Sequence, residues 1–259
     1  MLEVPRDEEA FAIVDRIYEA AFAAELWPNA LEATSAISRS AGGAIFMIND
    51  HLPLRAIGNA HLQPLLDEFM AGDNWNLSEG VQRTCSTQPA GFVRIDDLMT
   101  GEEIERDPVD ARARRFGVTS PVFTSISMPS GELVLLAFPR WLKDEKHDQA
   151  AIELLNGLRP HFARAGLVAG RLGLERAKTA VSILSEIGLS AAVMSGSGRV
   201  LTANPFWKTW LTCSLPWPMG AWHLRMDRQT RFSNRPLRTT RTTASCGPSR
   251  FRPGRGGRP

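Results

Sequence analysis

The sequence is poor in the features that announce chemistry or secretion. Its three cysteines, Cys85, Cys213 and Cys246, are far apart and odd in number. They suggest neither a disulfide framework nor a metal knuckle. No apolar run reaches the roughly 18 residues that a membrane-spanning helix needs. The N-terminal stretch MLEVPRDEEAFAIVDRIYEAA is acidic and has no basic region leading into an apolar one, so it does not read as a secretory signal. A cytoplasmic protein with no membrane partner is the expectation.

Catalytic and metal signatures are equally scarce. GSGR at 196–199 has two glycines but not the GxxxxGK[ST] phosphate loop. His51 and His61 are ten residues apart with no cysteine or spaced carboxylate pair beside them, and read as surface residues. His147 and His161 flank a helix start without an HExxH pattern, and Cys85 has Gln82 and Arg83 nearby but no histidine, which suits a semi-buried structural thiol. The run Glu102, Glu103, Glu105 and Asp107 reads as a solvated face. No Ser-His-Asp signature or dinucleotide fingerprint is present. The expectation is a protein that is not an enzyme and takes no cofactor and no metal.

What remains is a globular body with an unusual end. Residues 213–259 hold ten Arg, no Lys and one acid, Asp227, a charge of +9; with the net charge at +2, residues 1–212 carry −7. The body, with 43% hydrophobic and 22% charged residues over the whole chain, is composed as ordinary folded domains are. Its periodicity predicts a helix over 7–24 with Phe11, Val14, Ile17, Tyr18, Ala21 and Phe22 on one face. A second helix begins near Pro28, buries Ala30, Leu31, Thr34 and Ile37, and stops before Gly42-Gly43. GGAIFMIND (42–50) and LRAIGN (54–59) read as paired strands, and HLQPLLDEFMAG (61–72) and LSEGVQRTC (77–85) as helices. FVRI (92–95) is a short strand at most. Residues 100–117 form a charged helix interrupted near Pro108 and ended by Gly117. VTSPVFTSISM (118–128) and ELVLLAFPR (132–140) form a hairpin whose apolar runs suit the middle of a sheet.

A long helical pattern then runs from Asp148 to about Ile187, with Pro160 inside it. Leu167, Leu174, Ala177, Val181 and Leu184 make a short a/d seam, which serves either packing on its own domain or a homodimer through residues 160–187. LSAAVMSGSGRVLTANPFWKTWL (189–211) reads as strand, tight turn, strand and helix. The fold class is α/β (α+β): an antiparallel sheet with flanking helices, a long linking helix, an incomplete second unit and a disordered basic tail. For ligand-pocket walls the sheet offers Phe46, Ile48, Phe123, Ile126, Leu135 and Ala137, with Trp75 as a lid aromatic; each also suits plain core.

Several of these segments together resemble the sensory region of LuxR-type helix-turn-helix transcriptional regulators. IYEAAFAAELWPNALEATSAI is similar to an opening common in that family, LLNGLRPHFARA (154–165) to the segment after its first sensor domain, and SAAVMSGSGRVLTANPFW to the start of a PAS-like domain. The resemblance implies a GAF-like sensory domain at 1–146 that binds an unknown small molecule. It further implies a linking helix at 147–187, a partial PAS-like domain at 188–211 and a C-terminal DNA-reading domain. The aromatic-and-Asp pattern of family members that bind acyl-homoserine lactones finds no match here. After Leu211 no helix-turn-helix pattern follows; only Leu215, Leu224 and Leu237 remain as leucines.

Two readings of the segment 212–259 stand. As an Arg-rich arm, with Arg250, Arg252, Arg255 and Arg258 in RFRPGRGGRP, it would neutralise phosphates and bind nucleic acid nonspecifically. As a high-GC gene read out of frame, it would show the absent lysines, the 26 Arg, Pro, Gly, Thr or Ser among residues 225–259, and the break in mid-domain. The second accounts for more of these observations. Either predicts disorder. If the tail is an arm, the full chain binds nonspecific DNA with steep salt dependence and a 1–211 truncation does not; if neither binds, DNA contact needs a domain this sequence lacks.

Overall fold

The computed structural model describes residues 6–49, 54–72, 78–129, 131–194, 200–207 and 209. Helix α1 (Arg6–Phe22) leads through a 3-10 turn (Ala24–Leu26) into α2 (Trp27–Ile37), which has Pro28 in its first turn. Strands β1 (Ala44–Ile48) and β2 (Arg55–Gly58) follow, then α3 (Gln63–Ala71), α4 (Glu79–Thr87), β3 (Val93–Arg94) and a second 3-10 turn (Ile95–Asp97). Next come α5 (Gly101–Arg106), α6 (Pro108–Arg115), β4 (Val118–Ser127), β5 (Leu133–Trp141) and α7 (Gln149–Glu186). A hairpin of β6 (Ala192–Met194) and β7 (Val200–Ala203) ends the series, with helix resuming at 205. The Arg-rich tail, with Arg250, Arg252, Arg255 and Arg258, lies outside the described residues, as do Trp75 and His51.

The five main strands form one antiparallel sheet in the order β2-β1-β5-β4-β3. Strand side chains alternate between faces, so each strand feeds two layers. Ile45, Val122, Leu136 and Phe138 point to one face, where α1, α2 and α7 cover them with Ile13, Ile17, Ala20, Leu31, Leu155, Leu158 and Phe162. Ala44, Phe46, Phe123, Leu135 and Ala137 point to the other, which α3 to α6 cover. Gly43 sits where Phe138 leaves no room: an added Cβ would lie 2.6 Å from its ring. Val118 and Val122 are four residues apart, yet they face opposite layers. A bulge between Thr119 and Val122, with Ser120 at φ 46°, adds one residue to β4 and reverses its parity there.

Two sequence expectations about helix faces change. In α1 the buried stripe is Ile13, Ile17, Ala20 and Ala21, while Phe11 and Phe22 are 72% and 59% exposed. Small alanines let α1 lie close against α7, and the large aromatics at either end fall off that contact. In α7 the a/d seam is divided: Leu167 is 46% exposed, but Val181 is buried. The β6–β7 end of the chain packs there. Asn204 Nδ2 donates to Leu189 O (2.7 Å) and Val181 O (3.4 Å), while its Oδ1 accepts from Ala191 N and Trp207 N. One buried amide thus ties the hairpin to the helix and caps the helix that follows.

His147, expected only to flank a helix start, is buried beside the end of the sheet. Its Nε2 bonds Ser40 Oγ at 2.8 Å, Ser40 bonds Ser38 Oγ, and Nδ1 has no partner. Burial first, then the nearby Arg140, pulls its pKa from 6.5 down to about 4, against the opposing pull of Asp148. The fold accepts the neutral ring. Between pH 6.5 and about 4 the unfolded chain takes up a proton that the folded chain refuses, so stability is lost as pH falls through that window. Urea denaturation at pH 7.5 and pH 5 is expected to show a lower midpoint at pH 5, and His147→Gln is expected to reduce that difference.

Candidate functional site

The face of the sheet turned towards α3–α6 is incompletely filled. A cavity of about 150 Å³ lies between them, similar in size to engineered apolar cavities that admit benzene. Its sheet wall includes Ala44, Phe46 and Ile48 of β1, Phe123 of β4, and Leu135 and Ala137 of β5. Its helical wall includes Leu65, Leu66 and Phe69 of α3, Val81 and Thr84 of α4, Ile104 of α5, and Val109 and Ala113 of α6. Met99 and Ile95 close the gap between α4 and α5.

Of the sheet residues proposed from sequence, the structure brings Phe46, Ile48, Phe123, Leu135 and Ala137 to this one cavity. Ile126 is not among its walls. It packs against the α1/α2/α7 core, because it has the strand parity of Val122 and Thr124 rather than that of Phe123. The helical wall was missed, since α3, α4 and α6 carry their apolar residues on faces that sequence alone does not aim at any particular strand.

The helical wall is held by a small polar frame. Asp107, 7% exposed, stands between α5 and α6. Its Oδ1 accepts from Val109 N (2.8 Å) and Asp110 N (3.4 Å), capping α6; its Oδ2 accepts from Ser78 Oγ (2.8 Å) and Gly80 N (3.2 Å), fastening the start of α4. Asp110 accepts from Thr119 Oγ1 at 2.9 Å and from Arg114 Nε, whose pKa it raises. Arg83 on α4 grips Glu103 on α5 through Nη2 at 2.8 Å and also pairs with Glu79. That guanidinium first, then the Thr100 backbone, pulls the Glu103 carboxyl down to about 2. The acidic run expected to be a solvated face is therefore divided: Asp107 is buried and Glu103 is a tie between helices. The reason is position. Each stands at a helix N-terminus, where orphan backbone amides need an acceptor.

The other candidates stay outside the cavity. His61 is exposed and lies against Trp141, with ring centroids 4.4 Å apart. His161 meets Tyr18 edge-on. Cys85 is half-buried. Among the described residues no group of three or more His, Cys, Asp or Glu is placed to hold a metal, and no helix is long and apolar enough to cross a membrane.

No protein-family model and no curated protein matches the chain. Solved structures do resemble it. One is the N-acylhomoserine lactone dependent LuxR family transcription factor CepR2 from Burkholderia cenocepacia, at 14% identity and a TM-score of 0.46, covering 63% of this chain and 98% of that one. A second is the LBD domain of VqsR from Pseudomonas aeruginosa, at 12% identity and a TM-score of 0.49, covering 65% and 98%. A third is SdiA from Escherichia coli, at 15% identity and a TM-score of 0.47, covering 70% and 84%. At these values the likeness carries no argument about what this chain does.

The frame around Asp107 has a direct test. Asp107→Ala removes two helix caps at once and is expected to destabilise the protein by about 2–3 kcal/mol, with faster amide exchange concentrated in α4 and α6. Unchanged exchange in both helices would show that the carboxylate does not hold them.

Proposed function

We propose that this chain is the sensory portion of a LuxR-type transcriptional regulator and that it binds a small, largely apolar molecule between its sheet and α3–α6. One observation carries the reading: the α1/α2/α7 face of the sheet is covered by a continuous cluster of buried side chains, whereas the opposite face borders a cavity walled mainly by apolar residues. Protein interiors are ordinarily close-packed, and an apolar void forfeits contacts on every side. A guest restores them.

The proposed division of labour follows the elements. Residues 1–146 form the sensory domain, with the GAF-like character that the sequence resemblance implies. Residues 147–187 link it onward, and 188–211 begin a PAS-like unit that Asn204 fastens to the linking helix. In this reading a ligand shifts α7 only as far as its differential affinity for two states allows. A homodimer through residues 160–187 would use Leu167 and the exposed Ile183, since Val181 is taken by the chain's own hairpin. The protein acts in the cytoplasm, and contact with DNA requires either a further domain or the Arg-rich tail.

CepR2 is N-acylhomoserine lactone dependent and SdiA has been solved with octanoyl-rac-glycerol; these two ligand types are the first probes. At a concentration about 100 times Kd a true ligand adds roughly 2.7 kcal/mol, a rise in melting midpoint of about 5–10 °C. Ala137→Phe, which fills the cavity from the central strand, is expected to keep the fold and abolish the rise. A rise of equal size in that variant would place binding elsewhere.

A further inference from the structure

The helices over the cavity form two separately anchored groups. On one side α3 is fastened to the edge strand β2: Ala56 N donates to Met70 Sδ (3.3 Å) and Gly58 N to Gln63 Oε1 (3.3 Å). On the other side Asp107 binds α4 to α6, and Thr119 Oγ1 of β4 donates to Asp110 of α6. In the sheet β2 and β4 are separated by β1 and β5, whose Phe46, Leu135 and Ala137 line the cavity. The seam between α3 and α6 is where the two groups meet.

What crosses that seam is weak. The polar contacts that join α3 to α6 gather on Glu68. Arg115 Nη2 donates to Glu68 Oε2 at 2.9 Å, Arg112 Nε stands 3.7 Å from the same oxygen, and Arg112 Nη1 donates to Glu68 O at 3.3 Å. The Glu68 side chain is 45% exposed and that of Arg115 63%, so water and salt screen these pairs. Asp107, in contrast, is buried. Apolar side chains of both helices also share one cluster, Phe69 with Val109 and Ala113, but such contacts are non-directional and slide without breaking a bond. The barrier is thin as well. Phe69 is a wall of the cavity, and the Arg112 guanidinium, which reaches solvent, lies over its ring, 5.5 Å from the centroid. A swing of one long side chain and one ring would open the cavity to water.

We propose that the α3–α6 seam is the entrance to the cavity, and that Arg112 and Arg115, paired with Glu68, form an ionic latch that sets how fast a guest enters and leaves. This rests on the cavity being a ligand site, and it concerns the rate of exchange rather than the chemistry of the guest. Glu68, Arg112 and Arg115 are not among the cavity walls. Loosening the latch therefore lowers the barrier in both directions and leaves the affinity nearly unchanged.

The test uses the full chain and fluorobenzene, a rigid apolar probe of the size such a cavity admits. Its dissociation rate and Kd come from fluorine exchange NMR. In the wild type, raising NaCl from about 50 mM to about 500 mM is expected to speed dissociation about threefold. Glu68→Gln replaces an exposed carboxylate by its isostere, so the fold is kept. It is expected to speed dissociation about fivefold at low salt, to change Kd by less than about twofold, and to abolish the salt effect. Arg112→Ala is expected to speed dissociation too, and the double variant little more than either, because both substitutions open the same latch. Glu132→Gln breaks an exposed pair with Arg55 that does not bridge α3 and α6, and is expected to leave the rate as it is. Unchanged dissociation in Glu68→Gln and Arg112→Ala would overturn the latch while the ligand site stands. Dissociation faster in Glu103→Gln than in Glu68→Gln would put the entrance at the α4–α5 seam and overturn it as well. If the wild type does not bind fluorobenzene, or Ala137→Phe binds it undiminished, the ligand-site reading itself fails and the latch with it.

Discussion

The two faces of β5 set the terms for everything around them. It is the middle strand of five, paired with β1 on one side and β4 on the other. Its residues alternate between two different fates. Leu136 and Phe138 enter a closed core; Leu135 and Ala137 face a cavity. Because strand side chains reverse direction at every step, a one-residue slip would exchange the two sets. It would put Phe138 into the cavity and bring Ala137 against α7, leaving the core underfilled. Gly43 enforces the register, since only a residue without a side chain leaves space for the Phe138 ring.

The bulge in β4 is the second constraint. It lets one strand serve both layers out of phase, with Val122 and Thr124 turned to α7 and Val118 turned to α6. Arg159 on α7 uses that geometry: its Nε donates to Thr124 Oγ1 (2.8 Å) and its Nη2 to Ser125 O (3.0 Å). The strand that borders the cavity is thus bonded directly to the helix that leaves the domain. Asn156, three residues earlier on α7, accepts from Phe92 N at 2.6 Å and holds the segment entering β3.

Much of the element order was legible in the residues. Pro28 in the first turn of α2, Pro108 at the start of α6, and Gly117 at φ 78° after α6 are positions where the backbone chemistry of one residue decides the outcome. The hairpin of β4 and β5 and its central place followed from two apolar runs about a short turn. The faces were less legible. Phe11 and Phe22 look like core and are exposed; Asp107 looks solvated and is buried. In each case the deciding factor is what lies opposite, and a helical period reports only that residues share a side, not which neighbour that side meets.

The sequence by itself determined the strand alternation, the helix starts and stops, and the fold class, because these depend on backbone sterics and spacing within a few residues. It also named six apolar residues of three strands as walls of one pocket, and five of them line it, while Ile126 has the opposite strand parity. Only the tertiary structure decided that this side is a cavity rather than solid core and that the Ser125 hydroxyl is buried without a hydrogen-bond partner. A cavity is a mismatch in volume between layers far apart in the chain, and an unsatisfied hydroxyl is defined by what every neighbour fails to offer it. Neither property belongs to any local stretch of residues.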